Sequence, residues 1–156
     1  MVDIQTISIA VASAGVFLAA IYYIFQIRHQ TKLRQTDLIM RLYSRFGSEG
    51  FQKTFGKVRR REALSLHDYE EKYGWAEWIA IGTFFEGIGV LLHRKLVDIG
   101  LVDDLFTAPI KMAWGEMKDS IIEARKEWGQ PTIFEWFEYL VNEMKKREQE
   151  IAKKAA

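Results

Sequence analysis

The sequence contains no cysteine, which excludes disulfides, thiolate metal sites and cysteine nucleophiles. It has no charged residue between Ile4 and Ile27, and none of its 22 lysines and arginines comes before Arg28. Its 2 prolines and 11 glycines are too few for a collagenous or low-complexity chain. The charge-free stretch separates an apolar N-terminal segment from a polar remainder, and it argues against an entirely soluble protein.

The apolar segment, residues 4–27, is predicted to be a membrane-spanning helix. As an α-helix it would rise about 36 Å, whereas the hydrocarbon core of a bilayer is about 30 Å thick. Tyr22 and Tyr23 lie near its end, where aromatic rings favour the headgroup layer. A cleavable signal peptide is the alternative, but it requires a basic region before a shorter apolar stretch, and here only Asp3 is charged. We therefore expect a permanent anchor.

The charges that flank the apolar segment predict its orientation. Arg28, Lys32 and Arg34 follow it closely, whereas Asp3 is the only charged residue before it. Basic residues are retained on the cytoplasmic side of a membrane helix. We therefore expect a single-pass protein of the cell membrane, with its N-terminus outside and its C-terminal domain in the cytoplasm.

Small residues in the apolar segment recur at a spacing of four: Ala10 with Ala14, and Gly15 with Ala19. This spacing allows a second membrane helix to approach closely. Alanine and glycine are also common in membrane helices, so composition alone is the alternative explanation. The predicted partners are the lipid bilayer and either another membrane protein or a second copy of the chain.

Charge in the polar remainder is distributed in blocks. Residues 28–61, called here the basic segment, carry a net charge of +8, whereas residues 62–156 carry −6. Anionic lipid attracts a basic segment that follows a membrane helix. The acidic half of the same protein is the alternative partner, and nucleic acid is a weaker one because the rest of the domain is acidic. The candidate lipid-facing residues are Arg28, Lys32, Arg34, Arg41, Arg59, Arg60 and Arg61.

Apolar spacing predicts an all-α fold, in which one transmembrane helix continues into a stalk that precedes a compact bundle of about four to six helices. No proline or glycine interrupts the chain between the apolar segment and Gly47, so one helix is expected to continue. Ser48 is placed to cap a short following helix. The predicted boundaries are residues 1–27 for the anchor, 28–61 for the basic segment with its short helix, and 62–156 for the helical domain.

Two later helices have distinct signals. Residues 75–94 are apolar on nearly every side, which is typical of a central buried helix. A second membrane span is the alternative, but it would place Glu77 and Glu86 in the bilayer, at about 2.5–3.5 kcal/mol for a carboxylate near its centre. Thr132 and Glu135 have the spacing of a capping box, which predicts the start of the last helix.

Several motifs resemble the family known as domain of unknown function 4760, over residues 20–128. They are Phe85-Glu86-Gly87-Ile88-Gly89-Val90-Leu91, Leu96-Val97-Asp98, Val102-Asp103-Asp104-Leu105-Phe106, Trp114 and Ile121-Ile122-Glu123-Ala124-Arg125. The resemblance implies an N-terminal membrane helix followed by a helical domain. It implies no activity, because none is established for the family.

Glu86 is the residue whose surroundings most need an explanation. It lies between Phe84 and Val90 in an apolar stretch, where an unpaired carboxylate is unfavourable. It therefore needs a cation or must be protonated. Arg125, on the same helical stripe as Ile121, is the predicted partner, and we expect a buried ion pair that fixes helix register. A functional carboxylate with a raised pKa is the alternative.

The remaining residues give no pattern for catalysis or metal binding. His29, His67 and His93 are too far apart in sequence to share a metal ion at helical spacing. We therefore predict no metal, no cofactor and no enzyme activity. The predicted function is a membrane-anchored interaction or scaffold module, in the specific form of an accessory subunit of a membrane complex. A peripheral sensor of anionic lipid, acting through the basic segment, is the alternative.

Overall fold

The structure of the protein is a computed structural model that describes residues 3–59 and 65–155. The described residues form helices and no strand, which confirms the predicted all-α fold. The chain divides into two compact units, with the boundary between Asp37 and Leu38. The helices are α1 (Ile4–Phe46), α2 (Glu49–Arg59), α3 (Leu66–Tyr73), α4 (Ala76–His93), α5 (Ile99–Glu127) and α6 (Glu135–Ala155).

The first unit consists of α1 as far as Asp37, and its apolar side chains are exposed. Phe17, for example, keeps 67% of its surface accessible, and Ile4 keeps 79%. A contiguous exposed apolar surface of this kind marks contact with lipid or with another protein. By length and composition, α1 is able to cross a membrane, and it is the one such helix in the described part of the chain.

The predicted continuation of the apolar segment into the basic segment is confirmed. Helix α1 runs without a break through Ile27 and ends at Phe46, next to Gly47. The Ser48 hydroxyl then accepts a hydrogen bond from the Phe51 N–H at 3.4 Å, so Ser48 caps α2 as predicted.

The second unit has its own hydrophobic core, and α4 lies at its centre. Ile81, Phe85 and Ile88 of α4 have no accessible surface, as expected for a buried helix rather than a second membrane span. Residues 38–59 belong to this unit, because Ile39 and Phe55 are buried in the same core. The compact unit thus begins well before residue 62, where the helical domain was predicted to start.

The last helix begins later than Thr132 and Glu135 predict. Residues 131–134 form turns, Phe134 has a positive φ of 51°, and α6 starts only at Glu135. The Glu135 N–H donates to the carbonyl oxygen of Thr132 at 3.2 Å, which is a turn contact rather than a side-chain cap. The N-terminal N–H groups of α6 therefore need another acceptor.

Candidate functional site

Helix α6 starts directly against α4, because two glycines of α4 leave room for it. A Cβ atom on Gly89 would lie 2.0 Å from the carbonyl oxygen of Trp136, and one on Gly82 would lie 2.2 Å from the ring of Phe134. Both distances are far below van der Waals contact. Gly82 and Gly89 therefore allow the close packing, whereas a Cβ on Gly87 would meet no described atom within 4 Å.

The acceptor for the start of α6 is the Glu86 carboxylate. Its Oε2 accepts a hydrogen bond from the Phe137 N–H at 2.7 Å. Burial raises the pKa of Glu86 above its usual value, and the nearby Glu135 carboxylate raises it further. The N–H groups of Phe137 and Trp136 and the Arg125 guanidinium act in the opposite direction. An acceptor at a helix N-terminus also interacts favourably with the helix dipole.

Arg125 binds the same helix start but does not pair directly with Glu86. Its Nε donates to the Ile133 carbonyl at 2.8 Å, and its Nη1 donates to Glu138 Oε2 at 2.6 Å. Its Nη2 is buried and has no hydrogen-bond partner among the described residues. The structure thus gives Glu86 and Arg125 partners other than each other, which corrects the predicted ion pair. The reason is that the start of α6 offers backbone N–H groups to Glu86, and offers a carbonyl and Glu138 to Arg125.

A second glutamate caps a helix in the same way. Oε2 of Glu123, on α5, accepts a hydrogen bond from the Leu66 N–H at the start of α3, at 2.6 Å. Sequence reasoning missed this role, because residues 66 and 123 are 57 positions apart in the chain. Glu86 and Glu123 both lie in the family-like motifs, so part of that pattern stabilises helix starts.

The acidic motif residues at the start of α5 have structural partners too. The Asp98 carboxylate accepts a hydrogen bond from the Gly100 N–H at 2.8 Å and so caps α5. Asp103 is bound by the Thr107 hydroxyl and by Nε of Arg147, and both interactions lower the pKa of its carboxyl. Within residues 3–59 and 65–155, no group of three or more His, Asp or Glu side chains is arranged to hold a metal ion.

A surface groove of the second unit is the other candidate site, and sequence reasoning did not find it. It has a volume of about 380 Å³ and lies between the end of α1, the start of α2 and one face of α4. The signal in the sequence was an uncharged row at a spacing of four on α4: Ile79, Thr83 and Gly87. The lining residues are Leu42, Arg45, Phe51, Ile79, Ala80, Thr83, Phe84 and Gly87.

The candidate lipid-facing residues fall into groups with different surroundings. Arg28, Lys32 and Arg34 are exposed on α1, and no carboxylate of the described chain pairs with them. Arg41 and Arg59 are also exposed, whereas Arg60 and Arg61 lie outside the described residues. On α2 the lysines face acids of the same protein, since Lys53 pairs with Glu49 and Lys57 pairs with Glu77, each at 2.7 Å.

The small residues of the apolar segment are exposed on α1. Ala10, Ala14, Gly15 and Ala19 all keep accessible surface, and a Cβ on Gly15 would meet nothing within 4 Å. The described chain itself therefore does not cover this stripe.

The pattern of the sequence matches one family model, described as domain of unknown function, DUF4760, over residues 9–144. The chain belongs to the DUF4760 family. No curated protein and no solved structure gives a significant match. The DUF4760 match extends beyond the predicted resemblance at both ends, and it includes most of the apolar segment as well as the start of α6.

Proposed function

We propose that this DUF4760 protein is a single-pass membrane-anchored interaction module whose helical domain lies in the cytoplasm. The observation that carries the proposal is α1, in which an exposed apolar stretch is followed, in one continuous helix, by exposed basic residues. Apolar length supports membrane insertion, and the basic residues after it support a cytoplasmic domain.

The role in binding is supported by what the polar residues of the second unit do. Glu86, Asp98 and Glu123 accept hydrogen bonds from helix starts, and Arg125 binds a turn carbonyl and a neighbouring carboxylate. These four charged residues of the family-like motifs therefore stabilise the fold. The helical domain is then free to bind another protein through its surface. An accessory subunit of a membrane complex is the specific function that we propose for a domain held at the membrane in this way.

Protease accessibility tests the orientation. A tag fused after the last residue of the chain should resist protease in intact cells and be cut after lysis, because the helical domain is cytoplasmic. A tag before Asp3 should show the opposite behaviour. Cleavage of the C-terminal tag in intact cells would refute the orientation, and loss of the protein from the membrane in alkaline carbonate would refute the anchor.

A second candidate function is the sensing of anionic lipid by the basic segment. The observation that favours it is the lack of carboxylate partners for Arg28, Lys32 and Arg34 in the described chain. Each basic residue close to an anionic surface contributes about 1 kcal/mol to binding. A sensor of this kind binds the surface directly, whereas a subunit is held by its partner protein.

Vesicle binding separates the two candidates. Residues 28–156, made without the anchor, should bind phosphatidylglycerol vesicles and not phosphatidylcholine vesicles if the basic segment is a sensor, and salt should weaken binding. Replacing Arg28 and Lys32 with glutamine should reduce binding by about 30-fold if each contributes about 1 kcal/mol. The matched control replaces Lys153 and Lys154 of α6, which changes net charge equally. If both variants lose vesicle binding equally, or if the unmodified chain does not bind, the sensor function is refuted and the subunit function remains. Co-purification of a partner protein at fixed stoichiometry in mild detergent would support the subunit function.

A further inference from the structure

The groove between α1, α2 and α4 has apolar walls that are left open to solvent. Leu42 closes it from α1, Phe51 from α2, and Phe84 from α4. Ile79 also lines the groove and has 51% of its surface exposed, although Trp78 and Ile81 of the same helix are buried. The groove has a volume of about 380 Å³, which lies within the size range of small-molecule sites.

The small residues of α4 that line the groove are Ala80, Thr83 and Gly87, called here its floor. A Cβ atom built on Gly87 would meet no described atom within 4 Å, whereas Gly82 is covered by Phe134 and Gly89 by Trp136. Thr83 adds a hydroxyl that has no hydrogen-bond partner in the described chain, unlike Thr31 and Thr54, which bond to the carbonyl four residues earlier. The floor therefore combines free space with one polar group.

One cation lines the groove, and its charge is not neutralised within the described chain. Arg45 lies in the last turn of α1, and its guanidinium makes no ion pair with the carboxylates of residues 3–59 and 65–155. A guanidinium binds carboxylate and phosphate groups with directed hydrogen bonds. The charge therefore complements an anionic group at the end of an apolar ligand.

We propose that this groove binds a long-chain fatty acid, with the acyl chain along Phe84 and Gly87 and the carboxylate at Arg45. The inference rests on the proposed membrane anchoring, because the bilayer supplies and concentrates such a ligand. The volume of the groove favours one acyl chain over a helix of a partner protein. An α-helix with its side chains is about 10–12 Å wide, so only its side chains would enter the groove. The arrangement of apolar walls with few polar groups is typical of ligand sites.

Photolabelling of the full-length protein tests the proposal. The chain is placed in phosphatidylcholine nanodiscs with palmitate that carries a photoreactive diazirine, and tryptic peptides are analysed by mass spectrometry. The peptide that ends at Arg28 reports insertion of α1 into the bilayer, and the peptide of residues 73–94 reports the groove. We expect label on both peptides. Label on the first peptide alone would overturn the groove site and leave the membrane anchor, whereas no label on the first would refute the anchor itself.

Two variants test the position of the ligand. Gly87→Leu should fold, because the site is open, and it should reduce labelling of residues 73–94 about tenfold, which corresponds to about 1.4 kcal/mol of binding. Gly115→Leu is the matched control, since Gly115 is also helical and a Cβ built on it also meets no described atom within 4 Å. Labelling that persists in Gly87→Leu, or that falls equally in both variants, would overturn the proposal.

Competition tests the role of the charge. Unlabelled palmitate should displace the label from residues 73–94 about tenfold better than hexadecanol, which has the same chain and no carboxylate. Arg45→Gln should remove this preference and leave the label on the peptide that ends at Arg28. An equal effect of both competitors on the unmodified protein would refute the assignment of the carboxylate to Arg45. A change in oligomeric state of Gly87→Leu without loss of label would identify the groove as a contact between copies instead.

Discussion

The contact between α4 and α6 implies that Gly87 and Gly89, two positions apart on α4, respond differently to substitution by alanine. In Gly89→Ala the new Cβ would lie 2.0 Å from the carbonyl oxygen and 2.6 Å from the carbonyl carbon of Trp136. Both are backbone atoms, so no side-chain rotation relieves the overlap. Non-bonded atoms approach favourably only at about 3.5–4.0 Å, so α6 must move away by more than about 1 Å.

The cost of that movement follows from what α6 contacts there. Overpacking costs about 1–3 kcal/mol, and stretching the 2.7 Å bond from the Phe137 N–H to Glu86 loses a cap of about 1 kcal/mol. The higher helix propensity of alanine returns up to about 1 kcal/mol. We therefore expect Gly89→Ala to lower the free energy of unfolding by about 1–3 kcal/mol. The new Cβ of Gly87→Ala would meet no described atom within 4 Å, so this variant should raise the free energy of unfolding by about 0.5–1 kcal/mol.

Urea unfolding of residues 28–156, followed by tryptophan fluorescence, measures both variants against the unmodified chain. Amide exchange at Phe137 adds a local readout, because its N–H should lose protection only in Gly89→Ala. If the two alanine variants differ by less than about 0.5 kcal/mol, α6 does not pack on Gly89 as described, and the account of the α4–α6 contact is wrong.

Two further predictions concern the polar groups around the start of α6. Burial raises the folded pKa of Glu86 above its unfolded value, so the folded state holds the proton more tightly. Stability should therefore fall as pH rises from the unfolded pKa through the raised folded pKa. Glu86→Gln should lack this fall. In urea unfolding at several pH values, the variant should therefore become more stable relative to the unmodified chain as pH rises through that window. If the free energies of unfolding of the two proteins change with pH in parallel, Glu86 is not the group responsible. Arg125→Lys should lower the free energy of unfolding by about 1–2 kcal/mol. The reason is that a lysine ammonium cannot replace the planar guanidinium, which binds both the Ile133 carbonyl and Glu138. Unchanged urea unfolding would show that those two contacts contribute little.

The elements with the strongest local patterns were predictable from the sequence. The absence of glycine and proline between Ile27 and Gly47 predicted the uninterrupted α1, and the apolar character of residues 75–94 predicted the buried α4. Both helices depend on residues that are close together in the sequence, so the spacing of apolar residues predicts them directly. The short helix α2 and its Ser48 cap followed from the same kind of local signal.

The interactions that the sequence did not predict all join distant segments. Glu86 was recognised as a carboxylate that needed a partner, but its partner is the backbone of Phe137, and side-chain patterns carry no signal for a backbone group. Thr132 suggested a local cap, and the structure uses α4 instead. The groove required three helices to be placed together, so its lining residues could not be grouped before the fold was known.

The bond from Phe137 to Glu86 also has a consequence for the order of folding. The two residues are 51 positions apart, so the first turn of α6 obtains this partner only after a long loop has closed. In proteins, most of the stability of a helix comes from the packing of its amphipathic face rather than from intrinsic helix propensity. We therefore expect α6 to form late, after α4 is in place, and to be the segment most open to proteolysis in a chain that is still being synthesised or partly unfolded.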